Sequence, residues 1–399
     1  MDPYSNPIAA SEDSYVRILS YSLVHGIYMK LLVWPLFLCY DYSMDAVPLV
    51  QSLTDARLLL PMAAYTAFFQ LLLLAVTRLR AYRSARTRIA AESACIGAGF
   101  FILSFLPMTN ILFPIGTLVA ERLLYMPSIG FLIAIVCICY FETRKRRTLQ
   151  GFVGLLLAAL LAFWGFLCFE RVKDWKSVEE ITVVDGLKQL RSTRTQFNIA
   201  NIHLQHQRLD EALDAYKRAN ALDPQERDSM PLYHAGQILL YRGEYAEAEK
   251  YLHKAVSGFF SPLTLAEEEV WHDYGLALWH VGRGLDAVTN LQNAIITNPG
   301  FAKGYNNLGC ALFMLAASAN PPNMQALQEG LQSLEKAATL SPGVALYWRN
   351  LAVCWSMAGD RPQAERAWQQ WGLLDPVSVG QVQADGAMPQ DCAWEFYFR

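Results

Sequence analysis

Residues 268–301 read EEVWHDYGLALWHVGRGLDAVTNLQNAIITNPGF, and their spacing decides the fold of nearly half the chain. Trp271 stands fourth in this 34-residue window, Gly275 eighth, Ala287 twentieth, Leu291 twenty-fourth, Ala294 twenty-seventh and Pro299 thirty-second. Small residues at the eighth and twentieth places let two short helices approach closely. The proline stops the second helix by removing a donor and restricting the residue before it.

The pattern recurs on both sides. Ala200, Ala212, Tyr216, Ala219 and Pro224 fit a window opening at Thr193, and Leu232, Gly236, Ala248, Leu252 and Ala255 fit the next. Downstream, Tyr305, Gly309, Leu334, Ala337 and Pro342 fit once about nine residues around AASANPPNMQ are set aside as an extended loop between helices. Trp348, Ala352, Ala364, Trp368 and Pro376 complete the array, with bulky Trp371 where alanine is usual. This resembles the tetratricopeptide repeat, and five units over 193–376 predict a right-handed α-solenoid, each pair burying its face against its neighbours. The sixth position of the first helix is Asn198, His234, Asp273, Asn307 and Asn350 in turn. An amide there can donate to and accept from one peptide unit. The three asparagines resemble the ladder of the nucleocytoplasmic O-GlcNAc transferase and imply a groove for extended polypeptide; the alternative is that this position merely tolerates asparagine.

Five segments upstream, roughly 18–40, 58–77, 89–107, 123–141 and 149–169, are each apolar over about the 20 residues a bilayer crossing requires. The second and fifth carry no charge, whereas the first contains His25 and Lys30 and the fourth begins beside Glu121 and Arg122. Basic connections at 78–88 and 144–147 should face the cytosol, and the acidic stretch 41–56 and the stretch 107–122 the other side. Five spans then leave everything after 170 in the lumen of a secretory compartment, most naturally the endoplasmic reticulum. Residues 1–16 have neither a basic nor an apolar signal region, so the first span is expected to insert the protein. The fold class is therefore all-α: a polytopic transmembrane bundle (1–170), then five repeats (193–376) and a tail (377–399).

A net charge of −3 gives no electrostatic argument for nucleic acid. None of the eight cysteines has CxxC or zinc-ligand spacing, so neither a disulfide framework nor a metal is expected; Cys310 and Cys354, on first helices of repeats, read as small buried thiols. No GxSxG, HExxH, P-loop or Rossmann fingerprint occurs, and the seven histidines are scattered. The tail VSVGQVQADGAMPQDCAWEFYFR lacks repeat character; either it is unstructured or Trp394, Phe396 and Tyr397 pack as a cap.

Two strings in the membrane part remain. One is FLPMTNILFPIGTLVAERLLYMPSIGF at 105–131, with Glu121, Arg122 and Tyr125 at a membrane boundary. A guanidinium there presents a planar fork to phosphate oxygens and stays charged in low dielectric, which suits a lipid-linked donor; Glu121 could orient it and Tyr125 could support it. Interfacial anchoring of a helix end is the plainer alternative. The other string is CYDYSMDAVPL at 39–49, where Asp41 and Asp45 lie four apart, either as helix caps or as part of a lumenal site. Both strings, with the NPxA segment at 6–9 and the repeats that follow, resemble the transmembrane and tetratricopeptide repeat-containing (TMTC) protein O-mannosyltransferases.

That resemblance implies a GT-C-type enzyme moving mannose from dolichyl phosphate mannose to Ser or Thr of lumenal proteins. Arg122, Glu121 and Tyr125 would then hold the donor phosphate, the groove of Asn198, Asn307 and Asn350 would read the acceptor polypeptide, and no metal or other cofactor is implied. In that fold class the acidic base normally lies in the first lumenal loop, and the chain looks like the later part of such a membrane domain. The alternative is a non-catalytic membrane-anchored scaffold that recruits lumenal clients.

Overall fold

The computed structural model describes residues 6–42, 46–80, 84–188, 192–223, 228–258, 266–385 and 392–394. Among the described residues every regular element is helical, and the chain is all-α. It divides into two compact units, Met1–Pro224 and Gln225–Arg399. The division falls after the first repeat pair, not in the 171–192 connection where the sequence suggested a boundary. A linking helix, described below, packs on that first pair and keeps it with the apolar helices.

The first unit opens with a single turn, α1 (Pro7–Ala10), which Asn6 caps by accepting the Ala9 amide. Then come α2 (Ser14–Val33), α3 (Leu59–Arg80), α4 (Ala85–Phe105), α5 (Tyr125–Thr143) and α6 (Arg147–Asp174). These five, with their flanking turns, are long and apolar enough to cross a membrane. The 28-residue α6 buries none of its residues. At about 1.5 Å per residue it reaches about 42 Å, enough to span a hydrocarbon core of about 30 Å. One side of it, with Leu157, Leu160 and Trp164, faces the other helices, and the rest is an exposed apolar surface that suits lipid. The first span lies earlier than expected: α2 ends at Val33 and Trp34 leaves helical geometry (φ −138°, ψ 73°) because Pro35 follows it.

Small residues bring these helices together. A Cβ on Gly130 of α5 would stand 2.5 Å from both Gly97 O and Phe101 N of α4, and one on Gly97 would stand 2.8 Å from Gly130 O. Only glycine allows backbones this close. Gly26 of α2 meets the Pro61 backbone of α3 in the same way, at 2.8 Å. At the arginine-rich end of the bundle Arg78 pairs with Glu142 at 2.5 Å. A linking helix, α7 (Val178–Lys188), leads to the first repeat pair, α8 (Thr193–Gln205) and α9 (Leu209–Leu222).

The second unit holds four further pairs: α10 (Ser229–Tyr241) with α11 (Tyr245–Ser257), α12 (Glu267–His280) with α13 (Gly284–Thr297), α14 (Ala302–Ser318) with α15 (Met324–Leu340), and α16 (Ala345–Ala358) with α17 (Arg361–Leu374). A last helix, α18 (Pro376–Asp385), packs on α17. Leu252, Leu291 and Leu334 fill the space left by Gly236, Gly275 and Gly309, whose added Cβ atoms would lie 2.6, 2.9 and 2.7 Å from the leucine Cγ atoms. The insertion in the fourth unit is not a long loop. It lengthens α14 and α15 to 17 residues each, and Asn323 caps α15 by accepting the Ala326 amide. Its alanines favour continued helix on one side and its paired prolines confine the turn to 319–323.

Candidate functional site

At the end of the bundle opposite the arginine-rich loops, the three strings singled out in the sequence meet. Asn6 is fully buried, and its amide donates to Asn110 Oδ1 (3.1 Å) and to Ile115 O (2.8 Å). Asn110 adopts the left-handed backbone (φ 57°) that turns 106–115 back on itself. The hydroxyl of buried Tyr28 accepts the Ala120 amide at 3.1 Å and fixes the backbone just ahead of Glu121. His25 is satisfied on both ring nitrogens, by the Tyr65 hydroxyl (2.6 Å) and Thr109 O (2.7 Å).

Glu121 is committed to the second string rather than to its neighbour Arg122. One carboxylate oxygen accepts the Cys39 amide at 2.7 Å and the Tyr42 hydroxyl at 2.9 Å. The expectation that Glu121 orients Arg122 gives way to a different role, anchoring 39–42 against the foot of α5. Tyr42 in turn accepts the Cys39 amide at 3.2 Å. Burial pushes the Cys39 thiol up to about 12, and burial with the adjacent Glu121 raises Tyr42, so both stay protonated at neutral pH.

The next residue continues the network. The Tyr40 amide donates to Asp185 Oδ2 at 2.7 Å, and its hydroxyl accepts from Asn198 Nδ2 at 2.8 Å. Asp185 takes both prongs of Arg171 at 2.6 and 2.8 Å, and Arg171 also reaches Asp174 at 3.0 Å. Sequence reasoning passed over Tyr40, Arg171 and Asp185. The available signal was a single arginine three residues before the end of a long apolar helix, where a charge needs a partner.

Arg122 is exposed, and among the described residues its guanidinium makes no hydrogen bond and no ion pair. Tyr125, at the start of α5, is 77% exposed. Asp41 is half-buried, and its carbonyl accepts the Cys39 thiol at 3.1 Å; Asp45 lies outside the described residues. Between α2, α3, α4, α5 and α6 lies an almost wholly apolar crevice of about 690 Å³, lined among others by Phe68, Phe101, Phe131 and Trp164. Lys30 and Trp34 line it at the end of α2.

Each of the three asparagines bonds other side chains of the protein. Asn198 belongs to the first unit and holds Tyr40. In the second unit Asn307 and Asn350 are fully buried within a chain of polar side chains. Asp273 accepts from Tyr233 (3.0 Å) and Gln237 (2.9 Å), and pairs with His272 Nδ1 at 2.8 Å; His272 Nε2 meets Asn307 Nδ2 at 2.8 Å. Asn306 donates to Asn307 (2.8 Å), and Asn350 donates to Asn306 (3.0 Å). Glu269, His272 and Asp273 have the spacing of metal ligands. Lys303 balances their charge, 2.9 Å from Glu269 and 4.0 Å from Asp273. Asn350 also bonds peptide backbone, donating to Ala393 O at 2.7 Å.

Residues 2–69 match the family model described as Protein O-mannosyl-transferase TMTC, DUF1736, and residues 194–226 match Tetratricopeptide repeat. The chain is 28% identical over 176 residues to human Protein O-mannosyl-transferase TMTC4, covering 44% of this chain and 23% of the relative. It is 29% identical over 251 residues to Drosophila melanogaster Protein O-mannosyl-transferase Tmtc3 (62% and 26%) and 30% identical over 222 residues to human Protein O-mannosyl-transferase TMTC1 (54% and 24%). The chain spans about a quarter of the length of the curated relatives it matches. The resemblance drawn from the sequence strings is borne out.

Proposed function

Taking this chain as TMTC-like in both its membrane part and its repeats, we propose that it serves protein O-mannosyl transfer at the endoplasmic reticulum membrane. Mannose would pass from dolichyl phosphate mannose to Ser or Thr hydroxyls of lumenal or secretory polypeptides. The acceptor oxygen attacks C1 of the sugar, the bond from C1 to the phosphate oxygen breaks with its electron pair leaving on dolichyl phosphate, and the hydroxyl proton is released to the leaving phosphate or to solvent. A cation facing that phosphate stabilises the charge that develops there.

The observation that carries this reading is the state of Arg122. Its guanidinium is exposed and without an ion partner among the described residues, while neighbouring Glu121 is spent on anchoring 39–42. An exposed planar fork at a membrane boundary suits a phosphate. The apolar crevice suits the polyprenyl tail of the same donor, with Lys30 as a second cation along it. Exposed Tyr125 adds a hydroxyl near the headgroup. The repeats supply the acceptor-binding surface, with the lumen as their compartment.

Photo-crosslinking of a dolichyl phosphate analogue to the membrane-embedded chain tests the donor site. Arg122→Ala should weaken labelling at least about tenfold, and Arg122→Lys should restore part of it, a point charge replacing a fork. Unchanged labelling in Arg122→Ala would reject the clamp. Capture of polypeptides by a chain that neither binds the lipid nor supports transfer of labelled mannose would favour a membrane-anchored scaffold.

A further inference from the structure

The second unit already holds a short, irregular stretch of its own tail, residues 392–394. Asn350 Nδ2 donates to Ala393 O at 2.7 Å, and the Ala393 amide donates back to Asn350 Oδ1 at 2.8 Å. One side-chain amide thus reads both polar groups of one residue, a contact indifferent to side-chain identity. On one side Trp394 packs against Trp279 of α12, ring centroids 5.0 Å apart, and edge-on to His280 at 6.1 Å. On the other, buried Cys392 brings its sulfur to 3.2 Å from that of buried Cys354 on α16, in a cluster that includes Cys310 of α14. The segment therefore crosses the first helices of three consecutive pairs, where the sequence left open an unstructured tail or a cap.

We propose that Cys392–Trp394 is a built-in occupant of a polypeptide seat on α12, α14 and α16, latched by a Cys354–Cys392 disulfide in an oxidising compartment, so that another extended chain takes the seat only after reduction. This deepens the acceptor-surface reading and rests on it. The two sulfurs lie about 1 Å beyond bonding distance, within reach of a side-chain adjustment. The step balances with a disulfide of low molecular weight or of a protein as oxidant. With the tail lifted, the Cys392 thiolate attacks RSSR to give a mixed disulfide and one RSH; on docking, Cys354 displaces the second RSH. Two protons and two electrons pass from the thiol pair to RSSR. Reversal needs a reductant of the same class. Without the bond, the tail competes with an incoming chain only through its own affinity and tether.

The test uses the full chain in nanodiscs, equilibrated with glutathione disulfide or with reduced glutathione. Peptide mapping without reductant should find Cys354 joined to Cys392 in the oxidised sample. A fluorescent peptide of residues 388–399 carrying Cys392→Ser should bind the reduced protein at least about tenfold more tightly than the oxidised one. The same peptide with Ala393→Pro, which lacks the amide that Asn350 accepts, should lose that binding while the protein is unaltered. Thiols that stay free, pairing of Cys392 with Cys310, or equal peptide binding in both redox states would overturn the latch. Because no readout involves mannose, failure here is distinct from failure of the transferase reading, which the lipid-labelling and transfer assays decide.

Discussion

Asp185, whose side chain is 0% exposed against 11% for Arg171, receives both prongs of the Arg171 guanidinium at 2.6 and 2.8 Å. The same carboxylate takes the Tyr40 amide, so one ion pair ties the end of α6, the linking helix α7 and the 39–42 loop together. Removing one partner strands a buried charge, which costs about 3–5 kcal/mol, whereas replacing both by apolar residues costs far less. Asp185→Ala should lower the unfolding midpoint in detergent sharply and open 174–192 to limited proteolysis. Arg171→Met combined with Asp185→Leu should recover most of the loss.

Cys39 reports on the Glu121 anchor. Its buried thiol is pushed from 9.0 up to about 12, so at pH 8 it resists alkylation. Glu121→Ala frees the Cys39 amide and the Tyr42 hydroxyl and should speed Cys39 labelling at least about tenfold, read by mass spectrometry. The raised value also sets a sign for stability. The contribution is full below 9.0, where the thiol is neutral folded or unfolded, and is lost as pH rises towards about 12.

Gly130 and Gly97 hold α4 against α5 at backbone contact. Gly130→Leu would force its side chain into Gly97 O and Phe101 N, neither of which can move without shifting a helix. Overpacking of this kind costs about 1–3 kcal/mol where neighbours can adjust, and backbone neighbours make the upper end the expectation. A cysteine pair placed across α4 and α5 should cross-link readily in the parent and poorly in Gly130→Leu. Unchanged cross-linking would mean the helices have room that the geometry denies them.

The repeats were legible because their rule is local: Gly236, Gly275 and Gly309 stand at a fixed distance from the leucine each accommodates. The apolar spans were legible for the same reason, apart from the end of α2, where apolar composition continued past Pro35 but the backbone could not. The site was legible as strings and not as a network. Nothing in the neighbourhood of Glu121 announces that its partner is Cys39, 82 residues away, or that Tyr40 turns to Asp185 across 145. The asparagine positions illustrate the same limit. Their spacing places Asn198, Asn307 and Asn350 alike, yet packing gives one to a tyrosine, one to a histidine and one to a peptide unit.

Acid should loosen the second unit before it loosens anything that depends on apolar packing alone. Burial lowers His272, and it holds His234 down to about 4, so folding excludes protons that the unfolded chain accepts from its ordinary value of 6.5. His234 therefore contributes stability that is complete above 6.5 and is lost as pH falls towards about 4, and His272 acts in the same direction. His272 has little choice of state: with Nδ1 donating to Asp273, its Nε2 must stay unprotonated to accept from Asn307. Protonation would turn that acceptor into a donor facing another donor and break the polar chain at its centre. The unfolding midpoint of the repeats should thus fall between pH 7 and pH 5, and His272→Gln should flatten that slope while lowering the midpoint at pH 7. A midpoint independent of pH in the parent would show that the buried imidazoles are not the groups that titrate.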